Sequence, residues 1–92
     1  MAQTEEAIKK DTLDPQVLCD ALRKEATRLK ISVIRIAKAT GATRQTVYNW
    51  FTGSPVAPYY RDRVAAVIDI LKEAQTAEQA WRKACNQFGI QN

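Results

Sequence analysis

The chain has no histidine, and its 92 residues include only three glycines, two cysteines and one methionine. Without histidine there is no obvious acid–base shuttle near neutral pH and no Cys-His nucleophile pair. Gly41, Gly53 and Gly89 stand alone, so no glycine-rich loop can cradle a phosphate. The carboxylates are scattered, and no cluster has metal-ligand spacing. Catalysis, a cofactor and a small-molecule substrate are therefore not expected. No apolar run approaches the roughly 20 residues that span a bilayer, and the polar start Met1-Ala2-Gln3-Thr4-Glu5-Glu6 does not resemble a secretion signal. A cytoplasmic protein without a membrane segment is expected. Cys19 and Cys85 lie far apart, each on the apolar stripe of a predicted helix, and read as reduced core residues.

Acid is missing from one stretch altogether. Residues 26–61 hold no Asp or Glu but carry Arg28, Lys30, Arg35, Lys38, Arg44 and Arg61. These six bases give the window a charge of +6; the other eight bases against all ten acids leave −2 elsewhere, for the net +4 of the chain. A polyanion is the expected partner of such a window.

Apolar spacing predicts five helices and no sheet. With 46% apolar residues the chain can build one thin core, so a small helical bundle or a dimer is expected. Residues 1–13 lack periodicity and read as a flexible arm; Glu5, Glu6 and Asp11 dilute Lys9 and Lys10, which favours a solvated tail over a groove-binding one. Asp14-Pro15 is a good helix start, and Val17, Leu18, Ala21, Leu22, Ala26 and Leu29 give a first helix over 14–29. Ser32 caps a second over 33–40, with Val33, Ile36 and Ala37 inward. Thr43 caps a third over 44–52, with Val47, Trp50 and Phe51, closed by Gly53. Tyr60, Val64, Val67, Ile68 and Leu71 mark a fourth over 58–74. Thr76 and Gln79 form a capping-box pattern at the start of a fifth over 76–88, whose stripe is Ala77, Ala80, Trp81, Ala84, Cys85 and Phe88.

The segment from Ala37 to Trp50 carries the functional signal. Gly41 follows Ala37 by four residues, Val47 follows by six and Trp50 by three, as two short helices meeting at a tight turn require. Ala37 lies where the two helices cross, and Gly41 can adopt the left-handed conformation that ends the first of them. Val47 and Trp50 turn inward, which leaves Arg44, Gln45, Tyr48 and Asn49 outside. Arg can pair with guanine, and Gln or Asn with adenine, through two hydrogen bonds each. Tyr48 packs on a sugar or a thymine methyl, or else covers the flank of the core. At the start of the fourth helix Arg61 adds charge to free amides that suit a backbone phosphate, while Tyr60 reads as core.

The run Ser32-Val33-Ile34-Arg35-Ile36-Ala37-Lys38-Ala39-Thr40-Gly41-Ala42-Thr43-Arg44-Gln45-Thr46-Val47-Tyr48-Asn49-Trp50-Phe51-Thr52-Gly53 resembles the phage repressor and Cro-type (lambda repressor-like) helix-turn-helix family. The resemblance covers residues 16–72 and implies a DNA-binding domain over 14–75. It implies that Arg44, Gln45 and Asn49 touch bases and that Thr43 and Thr46 bind phosphate. The family often places Gln at the start of the first motif helix to grip a phosphate. Val33 stands there, so that contact falls to Arg35 or Lys38.

The function expected is a phage- or prophage-type regulator that binds a palindromic operator in double-stranded DNA as a homodimer, its third helix in the major groove. Repression by promoter occlusion and activation through contact with RNA polymerase are not separated by any residue. Antitoxins, restriction–modification controllers and early phage activators share the motif. A protein-interaction module with only non-specific DNA affinity is the rival. Residues 76–92 are surplus to such a reading head: their helix either folds back on its own bundle, with the first helix as a candidate partner, or pairs with a second copy through Trp81 and Phe88.

Overall fold

Capping chemistry places the helix ends, and in a computed structural model describing residues 14–90 the chain folds into five α-helices with no strand among the described residues. The arm expected over 1–13 lies outside them. In α1 (Pro15–Leu29) the Asp14 carboxylate accepts from the amides of Gln16 and Val17, and Pro15 occupies the first turn. Ser32 caps α2 (Val33–Thr40) and Thr43 caps α3 (Arg44–Phe51). α4 (Pro58–Glu73) starts with no side-chain cap and relies on Pro58. In α5 (Ala77–Phe88) Thr76 accepts from Gln79 N, while Gln79 Oε1 reaches back to the amide of Gln75, one residue before the cap.

α1 and α4 make the most extensive pairing. Leu18, Leu22, Val47, Val64 and Val67 are fully enclosed between the helices, and Ile36, Ala37 and Trp50 close the side on which α2 and α3 cross. Val56, in the α3–α4 connection, is also buried, and its amide reaches Pro15 O at 3.4 Å. Of the two arrangements open for the last helix, α5 folds back on its own chain. It packs on α2 and α4 rather than on α1, because α1 has already given its apolar face to α4. Among the described residues no helix is long and apolar enough to cross a membrane.

Arginines staple the bundle at helix ends, where the last carbonyls lack intrahelical partners. Arg28 donates from Nη2 to Leu71 O at 2.8 Å and Ala74 O at 3.2 Å, closing α4. Arg63 donates from Nε to Ala39 O at 2.8 Å, closing α2, while its guanidinium lies 3.9 Å from the Phe88 ring centroid. Arg23 reaches Phe51 O at 3.4 Å at the end of α3.

Candidate nucleic-acid interface

Three residues, 41–43, separate α2 from α3, and the tightness of that link fixes how α3 is presented. Gly41 has φ +77°, a left-handed value that admits the sharp exit from α2, and its amide donates to Ala37 O at 2.9 Å. Ala37 is buried at the crossing, as expected of a small residue there. Val47 and Trp50 face the core, and Tyr60 meets Trp50 edge-on with centroids 5.4 Å apart.

α3 therefore turns Arg44, Gln45, Tyr48 and Asn49 to solvent. Tyr48 is 53% exposed, so it does not seal the core flank. Gln45 Nε2 donates to Asn49 Oδ1 at 3.1 Å, one turn on, which aligns the two amides along the helix. Thr43 Oγ1 accepts from Thr46 N at 3.1 Å and lies 3.0 Å from Thr46 Oγ1, placing both hydroxyls at the helix start. Beside them Ile34, Ala37, Lys38, Gly41, Ala42 and Arg44 line an open notch of about 420 Å³ between α2 and α3. Arg44 and Lys38 have no ion-pair or hydrogen-bond partner among the described residues, so both cations are available to an anion.

The rest of the acid-free window is not equally available. Arg35, one of two candidates for a phosphate contact, faces α5 instead. Its Nη2 is 3.5 Å from Glu78 Oε1, and its guanidinium lies 5.2 Å from the Trp81 ring centroid. Lys38 is the candidate left on the open side. Arg28 is held by Glu25 and the end of α4. Arg61 is half-buried, with Nε 3.5 Å from Val56 O. Tyr59, 87% exposed, stands edge-on to Tyr60 at the start of α4.

The two residues considered for a dimer contact are occupied within the chain. Trp81 is 4% exposed, among Ile36, Ala39, Ile70, Leu71 and Ala84, and Phe88 lies under Arg63. Trp81 Nε1 is buried without a hydrogen-bond partner among the described residues. Both cysteines are free thiols, Cys19 buried and Cys85 half-buried.

Sequence reasoning missed what holds the far end of α3. The single Cys19 S–H is shared between Trp50 O at 3.3 Å and Ser54 O at 3.1 Å, and Gln16 Nε2 donates to Gly53 O at 3.4 Å. The acceptors lie more than thirty residues away in sequence, and no local pattern announces them. Burial first, and then Asp20, pushes the Cys19 thiol above its ordinary value, with Arg23 opposing, so the S–H stays available as a donor. Comparison with protein-family models, with curated proteins and with solved structures finds no match.

Proposed function

We propose that the protein is a sequence-specific regulator of transcription that binds double-stranded DNA, with α2 and α3 acting as a lambda repressor-like helix-turn-helix and α3 lying in the major groove. The observation that carries this reading is the outward face of α3. Arg44, Gln45 and Asn49, three side chains able to form paired hydrogen bonds with base edges, share it, and no acid among the described residues pairs with them there. The open side also supplies phosphate partners, the Thr43 and Thr46 hydroxyls and Lys38 across the notch; Arg61, half-buried at the start of α4, is a further candidate. A solvated helix face of ordinary composition carries Glu and Lys in mixture, which this one does not.

An eight-residue helix reads only a few base pairs, so two copies on a palindromic site are part of the proposal, their reading helices about 34 Å apart on one face of the duplex. α5 closes its apolar stripe within its own chain, so the contact between copies involves another surface. Occlusion of a promoter by the bound dimer is the simplest regulatory outcome.

Selection of bound duplexes from a random pool at roughly physiological salt (about 150 mM), followed by sequencing, tests the reading. Enrichment of a palindrome is expected. Sequence-blind recovery that vanishes as salt rises would mark the basic surface as a generic patch and overturn it.

A further inference from the structure

α3 is held at its C-terminal end by three side chains of a single helix. Gln16, Cys19 and Arg23 follow at spacings of three and four, and so share one face of α1. Between them they donate to Trp50 O, Phe51 O, Gly53 O and Ser54 O, the carbonyls of the last turn of α3 and the chain leaving it. Gln16 Nε2 also lies 3.9 Å from Cys19 Sγ, so the thiol is both approached by a donor and a donor itself. Elsewhere in the bundle the ends of α2 and α4 are each held by one arginine.

We propose that Gln16, Cys19 and Arg23 are positioning residues that fix the tilt of α3 and thereby the register in which its outward face meets DNA. The proposal rests on the DNA-reading function proposed above. Its physical basis is leverage. At a rise of 1.5 Å per residue, α3 is about 12 Å long, so a tilt of about 5° displaces its far end by about 1 Å. Paired hydrogen bonds to a base edge tolerate only a few tenths of an ångström, so such a displacement breaks them. Two turns of helix cannot hold their own geometry, since isolated helices this short are unstable in water. The core contacts of Val47 and Trp50 and the crossing with α2 anchor the body of α3; the donor strip on α1 fixes its C-terminal end.

Gln16 and Arg23 are exposed, so replacing them opens no cavity. The test compares Gln16→Ala/Arg23→Ala, Cys19→Ala and Cys19→Ser with the unaltered protein, all below their melting transitions. The first readout is the ratio of affinities for the selected duplex and a scrambled one, in which the lost charge of Arg23 cancels. The second is hydrogen exchange at the Trp50, Phe51 and Gly53 amides without DNA. Removing donors is expected to reduce the ratio about tenfold, as one or two lost hydrogen bonds allow. Exchange at those three amides is expected to rise about tenfold while that of α4 is unchanged. Cys19→Ser, which keeps a donor, stays within about threefold of the unaltered protein.

A ratio unchanged within about twofold in folded variants overturns the positioning role, even if stability falls. If the unaltered protein selects no sequence, the DNA reading fails. The exchange measurement then decides the clamp alone, and uniform exchange across α3 and α4 in the variants overturns it.

Discussion

The outward face of α3 and the face of α2 that receives α5 carry the same kind of side chain to different ends. Arg44 and Arg35 stand nine residues apart on adjoining helices, within one stretch of sequence that contains no acid. Arg44 opens onto a notch with Lys38 and meets no anion of its own chain among the described residues. Arg35 is paired with Glu78 and lies over the Trp81 ring, both brought from forty or more residues downstream, and stays partly exposed. A charge-free-of-acid window in one dimension is thus not a binding face in three. What separates the two arginines is whether the fold returns a partner to them. α5 supplies that partner on one side of α2, and among the described residues none is supplied on the other.

Removing the partner is the most damaging way to break this contrast. Trp81→Ala should cost about 3–5 kcal/mol in a denaturant titration, the usual range for a buried large aromatic and a large share of the total stability of a small domain. Arg35 would lose its ring contact and keep only the Glu78 carboxylate. Trp81→Phe should recover most of that loss, because it keeps the ring and deletes the unpartnered indole N–H. A cost below about 1 kcal/mol for Trp81→Ala would mean that α5 is not held by this residue.

Arg44→Ala attacks the opposite side and should leave folding almost untouched, within about 0.5 kcal/mol, since the side chain makes no contact that the fold needs. Under the proposed function its effect belongs in DNA discrimination. A loss of about 1–3 kcal/mol at one base position is expected, measured as the affinity difference between the selected duplex and single-base variants. Equal weakening on every sequence would demote Arg44 from reader to phosphate contact.

Legibility followed the range of the forces involved. Helix ends were readable because Asp14, Ser32, Thr43, Thr76 and Gly89 act on amides and carbonyls within four residues. The inward and outward sides of α3 were readable because Val47 and Trp50 lie one turn apart. The commitment of Arg28, Arg35 and Arg63 was not, because each acts on a helix remote in sequence. Burial of Val56 in a connecting loop escaped for a related reason: no periodicity marks a single apolar residue between helices. The docking of α5 was half readable. Its stripe demanded cover, but which helix would supply it depended on α1 and α4 pairing first.

Lys38 and Arg35 offer a smaller and sharper version of the comparison, because each removes a single positive charge from the same short helix. Lys38→Ala should reduce the slope of log affinity against log salt by about 1, the signature of one lost phosphate contact. Arg35→Ala should leave the slope unchanged and lower stability by about 1 kcal/mol, for a partly exposed ion pair and a cation–π contact together. Matched loss of slope in both variants would erase the distinction drawn between the two sides of α2.

Titration of Cys19 gives the smallest effect and probes the inner end of α3 rather than its outer face. Burial, reinforced by Asp20 and opposed by Arg23, raises the thiol above its ordinary value of 9.0 in the folded chain. The native state therefore holds that proton more tightly than the unfolded state does. The resulting stability is complete below about pH 9 and declines as pH climbs from there through the raised native value. Serine at this position does not titrate, so the stability difference between the unaltered protein and Cys19→Ser isolates the thiol from the tyrosines and lysines that ionise in the same region. That difference should stay level from about pH 6 to 8 and shift against the unaltered protein above about pH 9. A thiolate cannot donate to Trp50 O or Ser54 O, so the same rise in pH should loosen the end of α3. A difference that stays flat to about pH 10.5 would show that the thiol ionises no differently in the folded chain, and with it would go the case for Cys19 as a buried donor.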